Sequence, residues 1–218
     1  MVSASKKNNC FFMEAFWTRF NPSFVDAYLK IKRGDLGEIR YINTDFSFLI
    51  NNPSGRMTDM ALGGGSLLDM GVYTLFFTYA ILGKPEKTLA SSLFFEIGAD
   101  QQTAVILQYK NAQAILQSNF MSHSNMSPTI SGTEGRITLN PMWYEAKGYS
   151  LIKNSRKTDY HLPTKGKGFT YEIEECHKCI TKNQIESELW SHQNSLDLIE
   201  IVDQVRLQTG LTYDADQK

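Results

Sequence analysis

The spacing of apolar residues along this chain changes twice, from helical to alternating and back to helical. Helical spacing predicts helices over about residues 22–33, 66–82, 169–181 and 194–209. The middle of the chain alternates instead and predicts strands, which short polar connections should join as antiparallel hairpins. This order predicts an α+β fold with a large, mostly antiparallel open sheet and helices packed on one face.

The predicted element boundaries depend on capping residues. Asn21 and Pro22 begin the first of these helices as N-cap and first helical residue, and Gly34 ends it. Gly83 and Pro85 end the second. The expected strands cover residues 39–49, 87–97, 101–109, 112–120, 129–132, 136–139, 149–153 and 158–162.

The chain begins with what looks like a fragment of another domain. Residues 10–15 form a short apolar run, which is typical of a strand buried on both faces. Such a strand needs neighbours, and no strand precedes it in this sequence. We therefore separate residues 1–15 from a main domain over residues 16–218.

Composition excludes several classes of function. The formal net charge of -1 gives no reason to expect binding to nucleic acid or to anionic lipid. No apolar run approaches the ~20 residues of a membrane span, and the polar first residues do not form a signal peptide. The three cysteines are too few and too widely spaced for a disulfide framework, so a cytoplasmic location is expected.

Cys176 and Cys179 form a C-x-x-C sequence, but it lies inside a predicted helix. A redox pair would be expected at a helix N-terminus after a strand, and a zinc site would need a second pair of ligands. We interpret the two cysteines as structural and predict no metal site. Surface positions are expected for all four histidines, which are His123, His161, His177 and His192.

The segment from Gly63 to Tyr73, GGGSLLDMGVY, is very similar to a motif of the glucose-fructose oxidoreductase/inositol dehydrogenase (Gfo/Idh/MocA) family. The chain resembles most the dimeric dihydrodiol dehydrogenase-like members. Four further stretches resemble the same family in the same order, namely residues 13–22, 34–39, 130–137 and 188–196. Together the five stretches extend over nearly the whole chain.

The resemblance implies an oxidoreductase that transfers hydride between NAD or NADP and a sugar or small diol. It implies that residues 16–218 form a substrate-binding and dimerisation domain like the C-terminal domain of glyceraldehyde-3-phosphate dehydrogenase, and that residues 1–15 are the end of a Rossmann domain. The family's G-x-G-x-x-G turn and Glu-Lys-Pro lysine have no counterpart in this sequence. We therefore expect a truncated enzyme half, inactive and without cofactor by itself.

The helix after Gly63 carries the candidate catalytic residues. Asp69 and Tyr73 are spaced i and i+4, which places them on one helical face. By resemblance, Tyr73 is the acid/base and Asp69 orients the substrate. A tyrosine, with a pKa near ~10, needs a nearby cation to act as a base. Gly64 and Gly65 are expected to let the backbone approach the substrate closely. Without the resemblance, a surface acid and a core aromatic remain the alternative.

Three further residues are candidates for substrate binding. Trp17 matches a family position beside the cleft and is expected to form a wall of the substrate pocket. Arg19 is expected to bind an anion or a structural carboxylate. Arg56 precedes the glycines and either contacts substrate or is a solvated loop charge.

Two functional hypotheses remain open. The first is the C-terminal half of an NAD(P)-dependent dehydrogenase, and the second is a non-catalytic dimerisation or ligand-binding module that has lost its cofactor domain. In both cases the uncovered face of the sheet is expected to form a homodimer. The sequence does not name the substrate or distinguish NAD from NADP.

Overall fold

The computed structural model describes residues 1–51 and 55–217, and within them the four helices and eight strands predicted after residue 15 are present. The helices are α1 Val2–Asn8, α2 Pro22–Lys32, α3 Val72–Leu82, α4 Thr170–Thr181 and α5 His192–Thr209. The strands are β1 Ile39–Ser47, β2 Lys87–Phe94, β3 Asp100–Gln108, β4 Gln113–Asn119, β5 Thr129–Gly132, β6 Gly135–Leu139, β7 Gly148–Lys153 and β8 Arg156–His161.

The helix ends form where the capping residues indicate. Asn21 accepts a hydrogen bond from the Ser23 N–H at 2.9 Å, with Pro22 as the first residue of α2. At the start of α5, Ser191 and Asn194 form a reciprocal capping box. Gly210 ends α5 in the left-handed conformation that suits glycine.

All eight strands belong to one sheet, in the order β2-β3-β4-β1-β5-β6-β7-β8. Neighbours are antiparallel except for β1 and β4, which run parallel with Tyr41 opposite Gln113. The hairpin pattern correctly predicts the antiparallel pairs joined by short turns, but not the antiparallel pairing of β1 with β5. It does not reveal the parallel pair, because β1 and β4 are far apart in sequence and are brought together by α3 and the hairpins between them.

One face of the sheet is covered by helices, as predicted. Val105, Leu107 and Leu116 point to this face and are buried together with the apolar residues of α3 and α5. On β2, β3 and β4 the opposite face carries a row of cross-strand partners, Leu89, Ile106 and Ile115. These three side chains are 42%, 39% and 45% exposed, so an apolar strip remains open on this part of the sheet.

Residues 10–15 do not form the expected strand. Their backbone is tied to the main domain by a hydrogen bond from the Phe12 N–H to the Ile185 carbonyl, at 3.0 Å. A strand exists only when a neighbouring strand completes its hydrogen bonds, and none of the described strands pairs with these residues. That residues 1–15 derive from a nucleotide-binding domain stays a prediction.

The burial of His192 contradicts the expectation that all four histidines lie at the surface. Its side chain is 2% exposed, whereas His123, His161 and His177 are exposed as predicted. The His192 ring lies 3.1 Å from the Phe12 carbonyl and packs near the Phe12 ring. The histidine is buried because the N-terminal segment folds back over the start of α5, which local sequence does not show.

The longest apolar stretch of the chain also differs from expectation. By length and composition, the stretch Met60–Leu82 is sufficient to cross a membrane, contrary to the prediction that no run approaches this length. In the fold, 67% of its most apolar window is buried. Burial of this kind is typical of the central helix of a globular core, and α3 occupies that position.

Candidate active site

The glycine turn before α3 is held tightly by its own loop. Gly64 donates its N–H to the Asp59 carbonyl, and Gly65 donates to the Met57 carbonyl, both at 2.8 Å. A Cβ atom on Gly64 would lie 2.5 Å from the Asp59 nitrogen, and one on Gly65 would lie 2.2 Å from Asp100 Oδ1. Packing within the protein therefore requires glycine at both positions. A substrate-binding role for Gly64 and Gly65 stays a prediction.

Asp100 anchors the same turn from the start of β3. Its Oδ2 atom accepts hydrogen bonds from the Ser66 hydroxyl, the Leu67 N–H and the Thr103 hydroxyl, at 2.7, 2.8 and 2.6 Å. The Asp100 side chain is fully buried, and burial raises its carboxyl pKa although these bonds lower it. The sequence suggested only a hairpin connection here, so this residue was missed.

The first turn after the glycines is a π-turn over Leu67–Gly71, and it carries Asp69. One extra residue in a helical turn alters the direction of the side chains on it, and such turns are frequent at functional sites. Asp69 accepts a hydrogen bond from Arg56 Nη2 at 2.8 Å. The structure thus brings together two of the predicted site residues, with Arg56 largely exposed.

Tyr73 follows the π-turn at the start of α3 and is half-buried. Its ring meets the edges of Phe16 and Phe46, with ring centres 5.7 and 5.9 Å apart. Burial raises the pKa of Tyr73, and the negative charges of Glu172 and Asp69 raise it further, while a hydrogen bond with Trp17 lowers it. Tyr73 is therefore a neutral phenol at physiological pH and is suited to donate a proton.

Trp17 lies beside Tyr73, and its role as a wall of the substrate pocket stays a prediction. Its ring is 4.6 Å from that of Phe169 and 6.0 Å from that of Tyr144. A Cβ atom on Gly168 would come within 3.1 Å of the Trp17 ring, which shows how closely the segment before α4 approaches it. The site therefore combines an aromatic wall, a phenol and the Asp69–Arg56 pair.

Glu172, in the first turn of α4, is a member of this site that sequence reasoning missed. Its Oε2 atom is buried and has no hydrogen-bond partner among the described residues. Burial raises the pKa of the Glu172 carboxyl. The sequence showed only an acidic residue on a predicted helix, because its nearness to Tyr73 arises from the packing of α4 against the Trp17 turn.

Arg19 lies elsewhere. Its Nε donates to the Leu189 carbonyl at 3.0 Å, and its guanidinium lies 4.9 Å from the centre of the Tyr28 ring. Arg19 makes no described contact with Tyr73 or Asp69. The structure thus separates it from the other predicted site residues.

The two helical cysteines lie where the sequence placed them. Cys176 and Cys179 are both within α4 and are free thiols. Burial raises the pKa of both, so neither has the thiolate character of a redox cysteine. The described residues contain no group of three or more side chains suited to a metal ion.

Comparison with known proteins identifies the family. A sequence profile described as GFO/IDH/MocA C-terminal domain matches residues 24–138, which is more than half of the 218 residues. The chain belongs to the GFO/IDH/MocA family. This result confirms the resemblance seen in the glycine motif.

Members of the GFO/IDH/MocA family similar to this chain are oxidoreductases. The trans-1,2-dihydrobenzene-1,2-diol dehydrogenase of Xenopus tropicalis is 31% identical over 98% of this chain and 67% of its own length. The aldose-aldose oxidoreductase of Caulobacter crescentus, complexed with glycerol, has the same fold, with a TM-score of 0.85 and 20% identity over 96% of this chain. A 3-ketoreductase of Actinomadura kijaniata, in complex with NADP and TDP-benzene, has a TM-score of 0.83 and 19% identity over 95% of this chain.

The chain spans 64% of the length of the Caulobacter structure and 65% of the Actinomadura one. Binding of a nicotinamide dinucleotide in a Rossmann domain requires a parallel β-α-β unit with a glycine turn whose N–H groups face the pyrophosphate. The parallel pair β1–β4 is not such a unit, and the N–H groups of Gly64 and Gly65 are already bonded within the loop. The described residues therefore do not fit the dinucleotide pyrophosphate.

Proposed function

We propose that the protein containing this chain is an NAD(P)-dependent oxidoreductase acting on a sugar or small diol, and that this chain supplies the substrate side. The observation that carries the proposal is the Tyr73 phenol set between Trp17, Glu172 and the Asp69–Arg56 pair. An alcohol or carbonyl substrate needs such a group to exchange a proton at its oxygen. The names of the relatives support this class of substrate.

In the proposed role, Tyr73 donates its phenolic proton to the carbonyl oxygen during reduction. Because burial and two nearby carboxylates raise its pKa, Tyr73 holds that proton firmly in this chain. Acting as a base in the oxidative direction requires a cation within about 4–6 Å of the phenol, to favour the phenolate. By resemblance, the family's lysine would supply it, so this chain by itself is proposed to be inactive.

The test is the rate of NADH or NADPH turnover with aldoses and vicinal diols, measured in the protein translated from the whole gene. We expect Tyr73→Phe to lower kcat by about 10²-fold or more, because the proton donor is lost while the ring remains. Tyr160→Phe, on the distant strand β8, is the matched control and should keep the wild-type rate. An unchanged rate in Tyr73→Phe would remove Tyr73 from the reaction.

A non-catalytic binding module is the second candidate, favoured by the lack of a dinucleotide cradle in the described residues. Titration of NADH into this chain distinguishes the binding module from the dehydrogenase. Quenching of tryptophan fluorescence at micromolar NADH would argue against the non-catalytic module. In either case we propose a homodimer through the open sheet face. We also propose a cytoplasmic location, which the three free cysteines support.

A further inference from the structure

A cavity of about 430 Å³ lies beside α2, α3 and the start of α5. Phe16 touches both the Tyr73 ring and the Trp190 ring, and Trp190 lines the cavity. The volume falls in the range of small-molecule pockets, roughly 300–1,000 Å³. Tyr28, Tyr79 and Trp190 contribute aromatic atoms to a lining that is mostly polar.

Arg19 gives this cavity its chemistry. The residue is 7% exposed and lines the cavity, yet its only described hydrogen bond is the one from Nε to the Leu189 carbonyl. No described carboxylate lies within ion-pair distance of it. The carboxylate of Glu175, whose negative charge acts on the Arg19 guanidinium, is already hydrogen-bonded to Ser187 and Lys178. Among the described residues, the terminal N–H groups of the Arg19 guanidinium have no acceptor, and the guanidinium packs against the rings of Tyr28 and Phe24.

The other polar groups of the cavity do not supply that acceptor. The Tyr79 hydroxyl donates to Asp197 and accepts from Asn194, so both of its functions are in use. Lys32 stands at the rim, 5.2 Å from the centre of the Tyr28 ring, and adds a second positive charge. Glu188 is the acidic residue among the lining residues; like Lys32 it is exposed to solvent, so both of these charges are partly screened and Arg19 carries the recognition.

We propose that this cavity is a second binding site, specific for a small aromatic carboxylate. The carboxylate accepts two hydrogen bonds from the fork of the Arg19 guanidinium, which matches its planar geometry. The ring of the ligand packs against the accessible atoms of Tyr28, Tyr79 and Trp190 at the cavity wall. Lys32 at the rim attracts the anion.

The three tryptophans allow a direct test in this chain. Protein labelled with 5-fluorotryptophan gives one fluorine NMR signal each for Trp17, Trp143 and Trp190, assigned with single Trp→Phe variants. Sodium benzoate is titrated, with benzyl alcohol and inorganic phosphate as comparison probes. We expect benzoate to shift the Trp190 signal saturably and to bind at least about tenfold more tightly than either comparison probe.

Variants then locate the site. Arg19→Gln should weaken benzoate binding by about tenfold or more, and Lys32→Gln by about two- to threefold. Arg33→Gln, an exposed charge at the end of the same helix as Lys32, is the matched control and should bind as the wild type. Arg19→Lys keeps the charge without the planar fork and should lose severalfold, which tests the geometry if Arg19→Gln does not fold.

Three results would overturn the proposal: a benzoate shift at Trp17 without one at Trp190, equal affinity for benzyl alcohol, or unchanged affinity in a folded Arg19 variant. If neither Arg19 variant folds, Lys32→Gln and added salt decide the matter, because an ion-paired ligand must bind more weakly in both. The site does not involve Tyr73, so its failure leaves the proposed dehydrogenase function untouched.

Discussion

At the scale of single residues, the ionisation of Tyr73 is controlled by neighbours distant in sequence. Asp69 is four residues away, but Glu172 is on α4, at the other end of the chain. The carboxylates disfavour the phenolate, and burial does the same. In the proposed reaction Tyr73 therefore stays protonated until a nearby cation favours the phenolate.

Replacing Glu172 tests this balance. Glu172→Gln removes one negative charge near the phenol, so we expect the pKa of Tyr73 to fall. Although burial raises the pKa of Glu172 itself, Glu172 is ionised in the alkaline range where a tyrosine titrates, so its charge acts there. The measurement is a pH titration of the Tyr73 ring carbon by NMR, assigned with Tyr73→Phe.

The control for that experiment is Glu174→Gln, two residues along α4, where the side chain is exposed and lies 3.9 Å from Lys165. The pKa of Tyr73 should stay unchanged in this variant. A Tyr73 pKa that rises, or does not move, in Glu172→Gln would show that the two groups are not coupled.

At the scale of elements, helix α3, which bears Tyr73, is positioned by its connection to the sheet. The glycine turn, the π-turn and Asp100 form one hydrogen-bonded unit that fixes where α3 begins. Gly65 has a φ of +133° and its Cα faces Asp100 at close range, so no larger residue fits between turn and strand.

Substitution of Gly65 measures how strongly this unit holds the fold. We expect Gly65→Ala to lower the free energy of unfolding by about 3 kcal/mol or more, since the new methyl group meets Asp100 as well as an unfavourable φ. Gly34→Ala, at φ +82° with open space around it, should cost only about 1 kcal/mol. Urea unfolding followed by circular dichroism gives both values, and equal losses would contradict the packing argument.

At the scale of the whole molecule, the sheet has one covered face and one face with an open apolar strip. Leu89, Ile106 and Ile115 form adjacent cross-strand neighbours on that strip. A second copy of the chain with the same strip provides a self-complementary cover, since a two-fold axis pairs identical surfaces. This reasoning supports the proposed homodimer.

Charging this strip should separate the two copies. We expect Ile106→Asp to convert a dimer to a monomer, because dimerisation would bury an unpaired carboxylate. Leu207→Asp, on α5 with the side chain 84% exposed, is the control and should leave the dimer intact. Sedimentation velocity at tens of micromolar checks both, and a monomeric wild-type protein would contradict the proposed interface.

The sequence by itself determined nearly all the elements of this protein, their order and the antiparallel hairpins, because these depend on periodicity, capping and short connections. It also indicated the helix that bears Asp69 and Tyr73, through a motif that is local. Only the tertiary structure decided the parallel pairing of β1 with β4, the burial of His192, the place of Glu172 beside Tyr73 and the separation of Arg19 from them. Each of these depends on contacts between residues far apart in the chain, and such contacts are set by packing of the whole core rather than by any local pattern.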